Sequence, residues 1–393
     1  MNKRTLAFCI CCSENIIFSA ANVALSLNKY MPNEEFDIVI FHNGLSANNM
    51  QALEKIPRCS IRMLSFPDNF QKNIMEKLPN GRWKNPNSIL CFAKFEVFDL
   101  LYEYQTVIWL DADVAIQSSI VELRKFGPFA QAKDVNCNTI SSVRDQFCRC
   151  WQLDKMYNMD ADAYLDALIV VNDRLPQWRE LREYCYEKAL EYAEHLVNPT
   201  QAVFALMLQD FKISVMEIPG FDYICHAQHE FASLAKVVHF GGLNKVWNDF
   251  RLFRAYPEWF RTHLNWIELG GGDFDRSWVS TRSLWAELYG NISHCCADID
   301  VNVERKLNSN FVRPVRSTFY LFGALPLFDW YSSFSEVRLK CLGVPFFRFC
   351  RQWDSGKLFV INYLEICKWK EDSRNGKITF YILGVPCLKI LKK

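Results

Sequence analysis

Three features are missing from this chain of 393 residues. It has no apolar run near the roughly 18 residues that a membrane-spanning helix needs, so we expect that it does not cross a bilayer. It has almost no net charge, +1 at pH 7, which argues against a protein that seeks nucleic acid along its whole length. Its 16 cysteines lack the paired C-x-x-C spacing of a zinc site, and nothing downstream completes Cys225-His226 with His229. We therefore predict reduced thiols in a cytosolic protein.

At the N-terminus we expect a strand and not a signal peptide. Residues 1–12 combine a basic start with a short apolar run, which is the pattern of a signal peptide, but no small-residue cleavage site follows and Ser13-Glu14-Asn15 interrupts the run. We interpret the segment as the first strand. Half of the residues are hydrophobic and 15% are aromatic, which excludes disorder. The length predicts either one large domain with a smaller one or two medium domains.

Strand and helix patterns alternate along the first hundred residues. The predicted strands lie at 5–12, 36–41 and 60–66, and the helices lie at 16–29 and 46–53, the second with Ser46 as N-cap. This alternation predicts a parallel α/β sheet, in which ligands collect at the carboxyl ends of the strands. Further on, the pattern predicts helices at 88–101, 175–195 and 198–208 and strands at 163–171, 213–218 and 235–239.

The acidic pair Asp111 and Asp113 follows a short apolar strand, 107–110. Two carboxylates spaced i, i+2 can reach one point, where they repel each other unless a cation lies between them. Hard oxygen ligands favour Mg²⁺ or Mn²⁺ bound together with a phosphorylated ligand. The alternative is a solvated turn after a strand, in which Asp is common for local reasons.

A second polar group follows a later strand. His239 ends the strand, Gly241-Gly242 allows a tight turn with close ligand approach, and Lys245 is placed to meet a phosphate as a point charge. An imidazole beside two carboxylates favours Mn²⁺, with Mg²⁺ as the alternative. Taken alone, the same residues fit a strand-end histidine and a loop lysine.

Lys94 interrupts the apolar middle of the predicted 88–101 helix. Two interpretations remain open: a surface lysine that snorkels, or a contact to a phosphate or a sugar.

Together these motifs resemble glycosyltransferase family 8. The resemblance rests on Leu110-Asp111-Ala112-Asp113 after an apolar strand and on His239-Phe240-x-Gly242-x-x-Lys245-x-Trp247, and it covers about residues 5 to 265. It implies a GT-A fold, a nucleotide-diphosphate sugar as donor, Mn²⁺ and retention of anomeric configuration. It also implies that Asp111, Asp113 and His239 hold the metal, that Gly242 and Lys245 face the diphosphate, and that Lys94 takes the place of a family arginine.

The chain departs from the family at three segments. The Asn-Ala-Gly segment appears as Asp166-Ala167-Leu168, the Asp-Gln pair appears as Thr200-Gln201, and Val246 replaces a proline. Because the Asp-Gln pair contacts the donor sugar in the family, the sugar identity is open. Asn15 falls where the family contacts the nucleotide, although its neighbours match only loosely.

No catalytic nucleophile stands out in the sequence. Neutralising the leaving diphosphate with a Lewis-acid metal and a lysine accounts for departure of the sugar. Retention requires either a covalent carboxylate intermediate or attack by the acceptor on the same face. We take Asp166 as the carboxylate candidate and Gln201 as the neutral one.

The last part of the chain is repetitive and basic. Leu342-Gly343-Val344-Pro345 recurs as Leu383-Gly384-Val385-Pro386, a weaker copy begins at Phe319, and each copy predicts a strand, a turn and a strand. Residues 301–393 contain 16 Lys and Arg against 7 Asp and Glu, net +9, so residues 1–300 carry 1 − 9 = −8. A basic aromatic surface favours an anionic membrane face over nucleic acid, with self-association as a third alternative.

We therefore predict three segments: a GT-A domain at 1–265, an aromatic connector at 266–315 that contains the glycine loop 270–272, and a β-rich repeat region at 316–393. The predicted function is Mn²⁺-dependent transfer of a hexose from a UDP-sugar to a surface-glycan acceptor, by a cytoplasmic protein peripheral to the inner face of the cell membrane. The alternatives are a haloacid-dehalogenase-type phosphatase and a non-catalytic carbohydrate-binding or membrane-binding protein.

Overall fold

The computed structural model describes residues 3–78, 86–133, 142–148, 152–229, 231–242 and 245–274, and eight strands between Val315 and Leu391. The chain forms two compact units, Met1–Ala227 with Leu234–Asp298, and Gln228–Ser233 with Ile299–Lys393. The domain boundaries at 265 and 315 remain a prediction. Among the described residues, no helix combines the length and the apolar character that a bilayer span requires.

The first unit is built on a seven-stranded sheet in the order β3-β2-β1-β4-β7-β6-β8. Its strands are β1 Arg4–Cys12, β2 Asp37–His42, β3 Cys59–Met63, β4 Tyr104–Leu110, β6 Phe129–Lys133, β7 Tyr164–Asn172 and β8 Met216–Glu217. The first four are parallel neighbours, so the predicted α/β class is confirmed. The later strand β7 departs from this pattern, because it runs antiparallel to both β4 and β6. Antiparallel neighbours need no crossover helix, and no α-helix separates β6 from β7 in the described chain.

Nine α-helices surround this sheet among the described residues: α1 Ile17–Tyr30, α2 Ala47–Glu54, α3 Phe70–Lys77, α4 Glu96–Leu100, α5 Trp178–Glu191, α6 Pro199–Asp210, α7 Gly220–Tyr223, α8 Phe250–Ala255 and α9 Pro257–Glu268. Short 3-10 helices lie at Glu14–Ile16, Pro86–Phe95, Val121–Lys125, Val143–Gln146, Leu153–Lys155 and Ala193–His195. The predicted cap on α2 is confirmed, since the Ser46 side chain accepts from the backbone N–H of Asn49 at 3.4 Å. The predicted helix at 88–101 is instead a 3-10 helix followed by α4.

A small three-stranded sheet positions the second polar motif. Its strands are β5 Val114–Ile116, β9 Ile224–His226 and β10 Val237–His239. β10 lies between the other two, antiparallel to β5 and parallel to β9, so His239 pairs in register with Val114. This pairing places His239 beside Val114, the residue that follows the acidic pair, although the two are more than 120 positions apart in the chain.

The core lies on both faces of β4. Val107, Ile108, Trp109 and Leu110 are buried, and the helices bring large aromatic side chains such as Phe92, Phe95 and Phe204 against the sheet. A strand buried on both faces reads as a continuous apolar run, which is the pattern that the sequence shows there. The carboxylates therefore leave a rigid strand at its carboxyl end.

The second unit contains an eight-stranded antiparallel meander in chain order. Its strands are β11 Val315–Leu321, β12 Leu325–Ser332, β13 Glu336–Cys341, β14 Val344–Gln352, β15 Ser355–Val360, β16 Leu364–Asp372, β17 Lys377–Ile382 and β18 Val385–Leu391. Four hairpins share one irregularity, a shift of the pairing register. It lies between Phe319 and Tyr320, Leu339 and Lys340, Leu358 and Phe359, and Phe380 and Tyr381. The predicted strand-turn-strand unit is confirmed for the described strands, while Gly323, Leu342-Gly343 and Leu383-Gly384 lie outside them.

Proline recurs beside the bulge in three of these hairpins. Pro326, Pro345 and Pro386 occupy the second position of the returning strand, and Glu365 takes that position in the remaining hairpin. Proline has no N–H to donate and is tolerated where a bulge interrupts the ladder. The repeating unit is thus one hairpin, and the 41-residue repeat seen in the sequence spans two of them.

The pairing register sets Lys and Arg positions opposite one another in neighbouring strands. Arg338 pairs with Arg348, and Lys357 pairs with Lys368. Other basic positions pair with acidic ones, as Lys340 does with Asp329 and Lys377 with Asp372.

Candidate functional site

The backbone around the acidic pair is held from three directions. The N–H of Asp111 donates to the carbonyl of Ala167 at 2.9 Å, and the N–H of Phe240 donates to the carbonyl of Asp113 at 2.9 Å. The buried hydroxyl of Ser19, on α1, donates to the carbonyl of Ala112 at 2.7 Å. The pair thus lies in a turn after the strand, as the sequence alternative expected, but the backbone of that turn is fixed by these bonds and 21% of each Asp side chain is exposed.

Asp111, Asp113 and His239 converge on one point. One ligand atom from each lies within 4.8 Å of the others, and the Nε2 atom of His239 is 3.5 Å from an oxygen of Asp113. Opposite ligands of an ion with bonds near 2.1 Å stand about 4.2 Å apart, so a small contraction brings all three onto one ion. Two carboxylates with one imidazole could hold a divalent cation, and the buried Nδ1 atom of His239 has no hydrogen-bond partner.

The glycine pair after His239 gives the histidine its space. A Cβ atom on Gly241 would lie 2.9 Å from Cε1 of His239 and 3.4 Å from Cδ2 of His226. Gly242 has a φ of 80°, in the left-handed region that favours glycine. The sequence analysis expected both glycines to allow a tight turn, and the structure adds that Gly241 leaves room for the His239 ring.

Lys94 is buried, with 5% of its surface exposed, so the snorkelling interpretation is wrong. Its Nζ atom lies 2.9 Å from Oδ1 of Asp111 and 2.9 Å from Oδ1 of Asp166. One ammonium group thus bridges a candidate metal ligand and the candidate catalytic carboxylate. The two carboxylates raise the pKa of Lys94 against the opposing effect of burial, so its charge is retained.

Lys245 lies on the other side of the acidic pair. Its Nζ atom donates to Oδ2 of Asp113 and, at 2.7 Å, to the carbonyl of Phe240. The sequence placed Lys245 at the diphosphate, whereas in the structure it is paired with a candidate metal ligand.

The two carboxylates have opposite pKa shifts. Burial raises the pKa of Asp111. The nearest cation, Lys94, opposes this shift only in part, because it is shared with Asp166. Burial also opposes ionisation of Asp113, but Lys245 and His239 outweigh it and hold the pKa of that carboxyl well below its usual range. Asp113 is therefore the more firmly ionised member of the pair.

Asp166 and Gln201, the candidate catalytic residues, lie near this group with different partners. Asp166 accepts from the Thr200 hydroxyl through one oxygen and pairs with Lys94 through the other. The amide nitrogen of Gln201 donates to the carbonyl of Tyr164, on the strand that bears Asp166, at 2.8 Å. The residues that depart from the family pattern are therefore in contact with one another, since Thr200 and Asp166 share a hydrogen bond.

Asn15 is exposed at the carboxyl edge of the sheet, in the 3-10 helix that follows β1. β1 is the parallel neighbour of β4, so Asn15 and the acidic pair leave the sheet along the same edge. The preceding residue, Glu14, accepts from the N–H of Ser46 at 2.9 Å and from the Asn49 amide at 2.8 Å. These bonds fix the segment to α2.

The glycine loop 270–272 is attached to the same segment. The Trp266 indole N–H donates to the carbonyl of Gly272 at 2.8 Å, and the N–H of Gly272 donates to Oδ1 of Asn49 at 2.7 Å. A Cβ on Gly271 would lie 1.9 Å from the Trp266 ring. The absence of a side chain at Gly271 therefore permits close packing against the Trp266 ring.

Sequence reasoning missed two residues of this site. Trp109 appeared only as a core residue, yet its indole N–H donates to Oδ1 of Asp111 at 2.7 Å. The i, i+2 spacing of Trp109 and Asp111 contained that signal, since both side chains leave an extended strand on one face. No sequence signal indicated Ser19, because Ala112, whose carbonyl accepts its hydrogen bond, is 93 residues away.

The cysteines take no part in this site as metal ligands. Eight cysteines of the described chain are free thiols: Cys9, Cys11, Cys12, Cys59, Cys91, Cys148, Cys185 and Cys225. Burial raises the pKa of Cys225 to about 12. Within the described ranges, Asp111, Asp113 and His239 are the one group with the spacing of a metal site.

Comparison with known proteins bears on the first part of the chain. Residues 7–156 match the profile described as glycosyl transferase family 8, which confirms the resemblance over that segment. No curated protein matches the chain.

Solved structures of glycosyltransferases are also similar. The galactosyltransferase LgtC in complex with donor and acceptor sugar analogs is 15% identical, with a TM-score of 0.49, over 70% of this chain and 99% of LgtC. The bifunctional glycosyltransferase WbbM is 16% identical, with a TM-score of 0.47, over 74% of this chain and 52% of WbbM. Mouse xyloside xylosyltransferase 1 is 13% identical, with a TM-score of 0.40, over 62% of this chain and 99% of that protein.

Proposed function

We propose that the protein is a retaining hexosyltransferase that uses a UDP-sugar and Mn²⁺ to extend a surface glycan, such as lipopolysaccharide or capsule. The match of residues 7–156 to the family profile supports a glycosyltransferase. The observation that carries the finer proposal is the convergence of two carboxylates and one imidazole at the carboxyl end of β4. Such a donor set fits a divalent cation bound with a diphosphate.

In this proposal, different residues of the chain contact different parts of the donor. Asp111, Asp113 and His239 would hold the ion, which supplies Lewis-acid stabilisation of the departing diphosphate. Lys245 adds a positive charge for the same oxygens, and Asn15 contacts the nucleotide from the neighbouring edge of the sheet. Gly242, in its left-handed conformation, lets the backbone approach the diphosphate without a side chain between them.

Asp166 and Gln201 flank the sugar in this proposal. Asp166 is held in place by Lys94 and Thr200, so it presents a carboxylate of fixed orientation to the reacting carbon. The pairing with a buried ammonium and the Thr200 hydroxyl occupies both carboxylate oxygens, which favours electrostatic stabilisation of a developing positive charge over nucleophilic attack. Retention then follows from attack by the acceptor on the face that the diphosphate leaves.

The test is a thermal-shift screen of UDP-, GDP- and CDP-sugars with and without Mn²⁺, followed by product analysis of the sugar that stabilises. A ligand that binds only the folded state raises the melting temperature. We expect stabilisation by a UDP-sugar only when Mn²⁺ is present, and an axial product from an axial donor. Phosphate release from a simple phosphoester would support the phosphatase instead, and tight UDP binding without turnover would support the non-catalytic protein.

The acceptor is proposed to lie at a membrane. Residues 301–393 carry a net charge of +9, and each cation near an anionic surface contributes about 1 kcal/mol. We expect the protein to sediment with vesicles that contain phosphatidylglycerol and not with pure phosphatidylcholine vesicles, and to be released by high salt. Replacing Lys357, Lys368 and Lys370 by Glu would abolish that binding, and equal binding to both vesicle types would refute it.

A further inference from the structure

Two lysines form ion pairs with the carboxylates of the candidate metal site. Without a bound ion, Asp111 is paired with Lys94 and Asp113 is paired with Lys245. The third carboxylate of the group, Asp166, shares Lys94. A divalent cation that binds Asp113 must therefore compete with an ammonium group for the same oxygens.

Lys94 and Lys245 differ in how freely they can leave. Lys94 is buried and is held by two carboxylates, so it stays with Asp166 when Asp111 turns to another cation. The Lys245 side chain is 19% exposed, and its other partner is a carbonyl, that of Phe240. Lys245 is therefore the cation that can move to a second anion.

The formal charges favour binding of metal and diphosphate together. Three carboxylates and two ammonium groups give the group a net charge of −3 + 2 = −1 when the imidazole is neutral. A divalent ion alone changes this to +1, and the diphosphate of a nucleotide sugar alone, with two negative charges, changes it to −3. The two together restore −1. In a partly buried site, where charge imbalance is costly, the diphosphate alone is the disfavoured state, and a metal ion bound with it removes that imbalance.

From these contacts we infer that Lys245 couples the metal site to the diphosphate: it occupies Asp113 in the empty protein and releases that carboxylate to the metal only when a diphosphate accepts its ammonium group. The inference rests on the proposed function, because it assumes that the two ligands share this site. Metal and nucleotide then bind with positive coupling, part of which comes from Lys245 and the rest from direct contact between the ion and phosphate oxygens.

The test measures Mn²⁺ binding and not turnover. Free Mn²⁺ is followed by electron paramagnetic resonance during titration of the full-length protein, alone and with saturating UDP. The proteins are the wild type, Lys245→Met, and Lys133→Met as a matched control, because Lys133 also bridges two carboxylates, Asp162 and Glu217, away from the site. A second variant, Lys245→Arg, keeps the charge and so separates the charge from the identity of the side chain.

In the wild type we expect UDP to tighten Mn²⁺ binding by a factor in the range of about 5 to 150 that is typical of coupled sites. Lys245→Met should bind Mn²⁺ alone about tenfold more tightly than the wild type and show a smaller factor with UDP. Lys133→Met should match the wild type, and Lys245→Arg should resemble it in weak binding of Mn²⁺ alone.

Two outcomes separate this inference from the proposed function. If the wild type and Lys245→Met both bind Mn²⁺ with UDP but have equal affinity for Mn²⁺ alone, the coupling role of Lys245 is overturned and the proposed function stands. If UDP binds none of the proteins with or without Mn²⁺, the proposed function fails and the inference fails with it.

Discussion

Asp111 and Asp113 are two residues apart and equally exposed, with 21% of each side chain accessible, yet their pKa values shift in opposite directions. The difference comes from the cations around them. Asp111 faces a lysine that a second carboxylate shares, whereas Asp113 has Lys245 and the His239 ring on its own side. The two carboxylates of an Asp-x-Asp motif therefore need not be equivalent, because the charged partners of each come from different parts of the chain.

The largest expected effect comes from removing the firmly ionised member. Asp113→Ala should abolish the Mn²⁺-dependent thermal shift by a UDP-sugar and lower transfer by a factor of about 100 or more, because the ion loses its strongest ligand. The measurement is the melting temperature with and without Mn²⁺, and then product formation. Asp160→Ala, at an exposed carboxylate paired with Arg144, is the control. Equal shifts in Asp113→Ala and the wild type would remove the metal assignment.

The second prediction contrasts the two lysines. Lys94→Met leaves two buried carboxylates without their cation and should lower the free energy of unfolding by about 3 kcal/mol or more. Lys245→Met removes a partly exposed partner and should cost about 1 kcal/mol or less. Urea denaturation of both variants measures the difference, with Lys133→Met as the exposed reference. A loss from Lys245→Met as large as that from Lys94→Met would show that exposure does not separate them.

A third prediction tests the space around the His239 ring. Gly241→Ala places a Cβ 2.9 Å from the imidazole, so the ring must shift and Mn²⁺ affinity in the presence of UDP should fall by a factor of about 10 to 100. The Asp111 side of the site should keep its geometry, since Gly241 contacts His239 and His226. Titration of Mn²⁺ checks the affinity, and a melting temperature near that of the wild type checks the fold. Unchanged affinity would show that His239 is not a ligand.

The smallest effect concerns His226, the neighbour of His239 across β9 and β10. Burial lowers the pKa of His226 to about 3, whereas in the unfolded chain its value is about 6.5. As the pH falls below 6.5, His226 therefore binds a proton in the unfolded state but stays neutral in the folded state. The free energy of unfolding must decrease as a result. Between pH 6.5 and 5.5 the wild type should lose about 1 kcal/mol more than His226→Gln, measured by urea denaturation at each pH. Parallel pH profiles would contradict this.

The sequence was sufficient for elements whose signal is local. Alternating strands and helices predicted β1 to β4 and the cap at Ser46, and the Asp-x-Asp motif after an apolar strand predicted the place of the acidic pair. It was insufficient where direction and partners depend on distant segments. Nothing near residues 163–171 shows that β7 runs antiparallel to β4, and nothing near Lys94 shows that a carboxylate 72 positions later, Asp166, lies within 2.9 Å.

The repeat region shows the same limit in another form. The sequence revealed the hairpins that keep proline at the second position of the returning strand, because proline makes the copies recognisable. The hairpin of β15 and β16 carries Glu365 at that position and escaped notice, although its bulge is equivalent. Backbone geometry repeats here more faithfully than residue identity does, since a bulge tolerates proline without requiring it.

The four bulged hairpins have a consequence for how this part of the chain can vary. Each strand of the meander pairs with its neighbours in sequence, so we expect that removing or duplicating one hairpin would leave the remaining ladder in register. The length of the sheet can thus change in steps of one hairpin, without any substitution near Asp111 or Asp113.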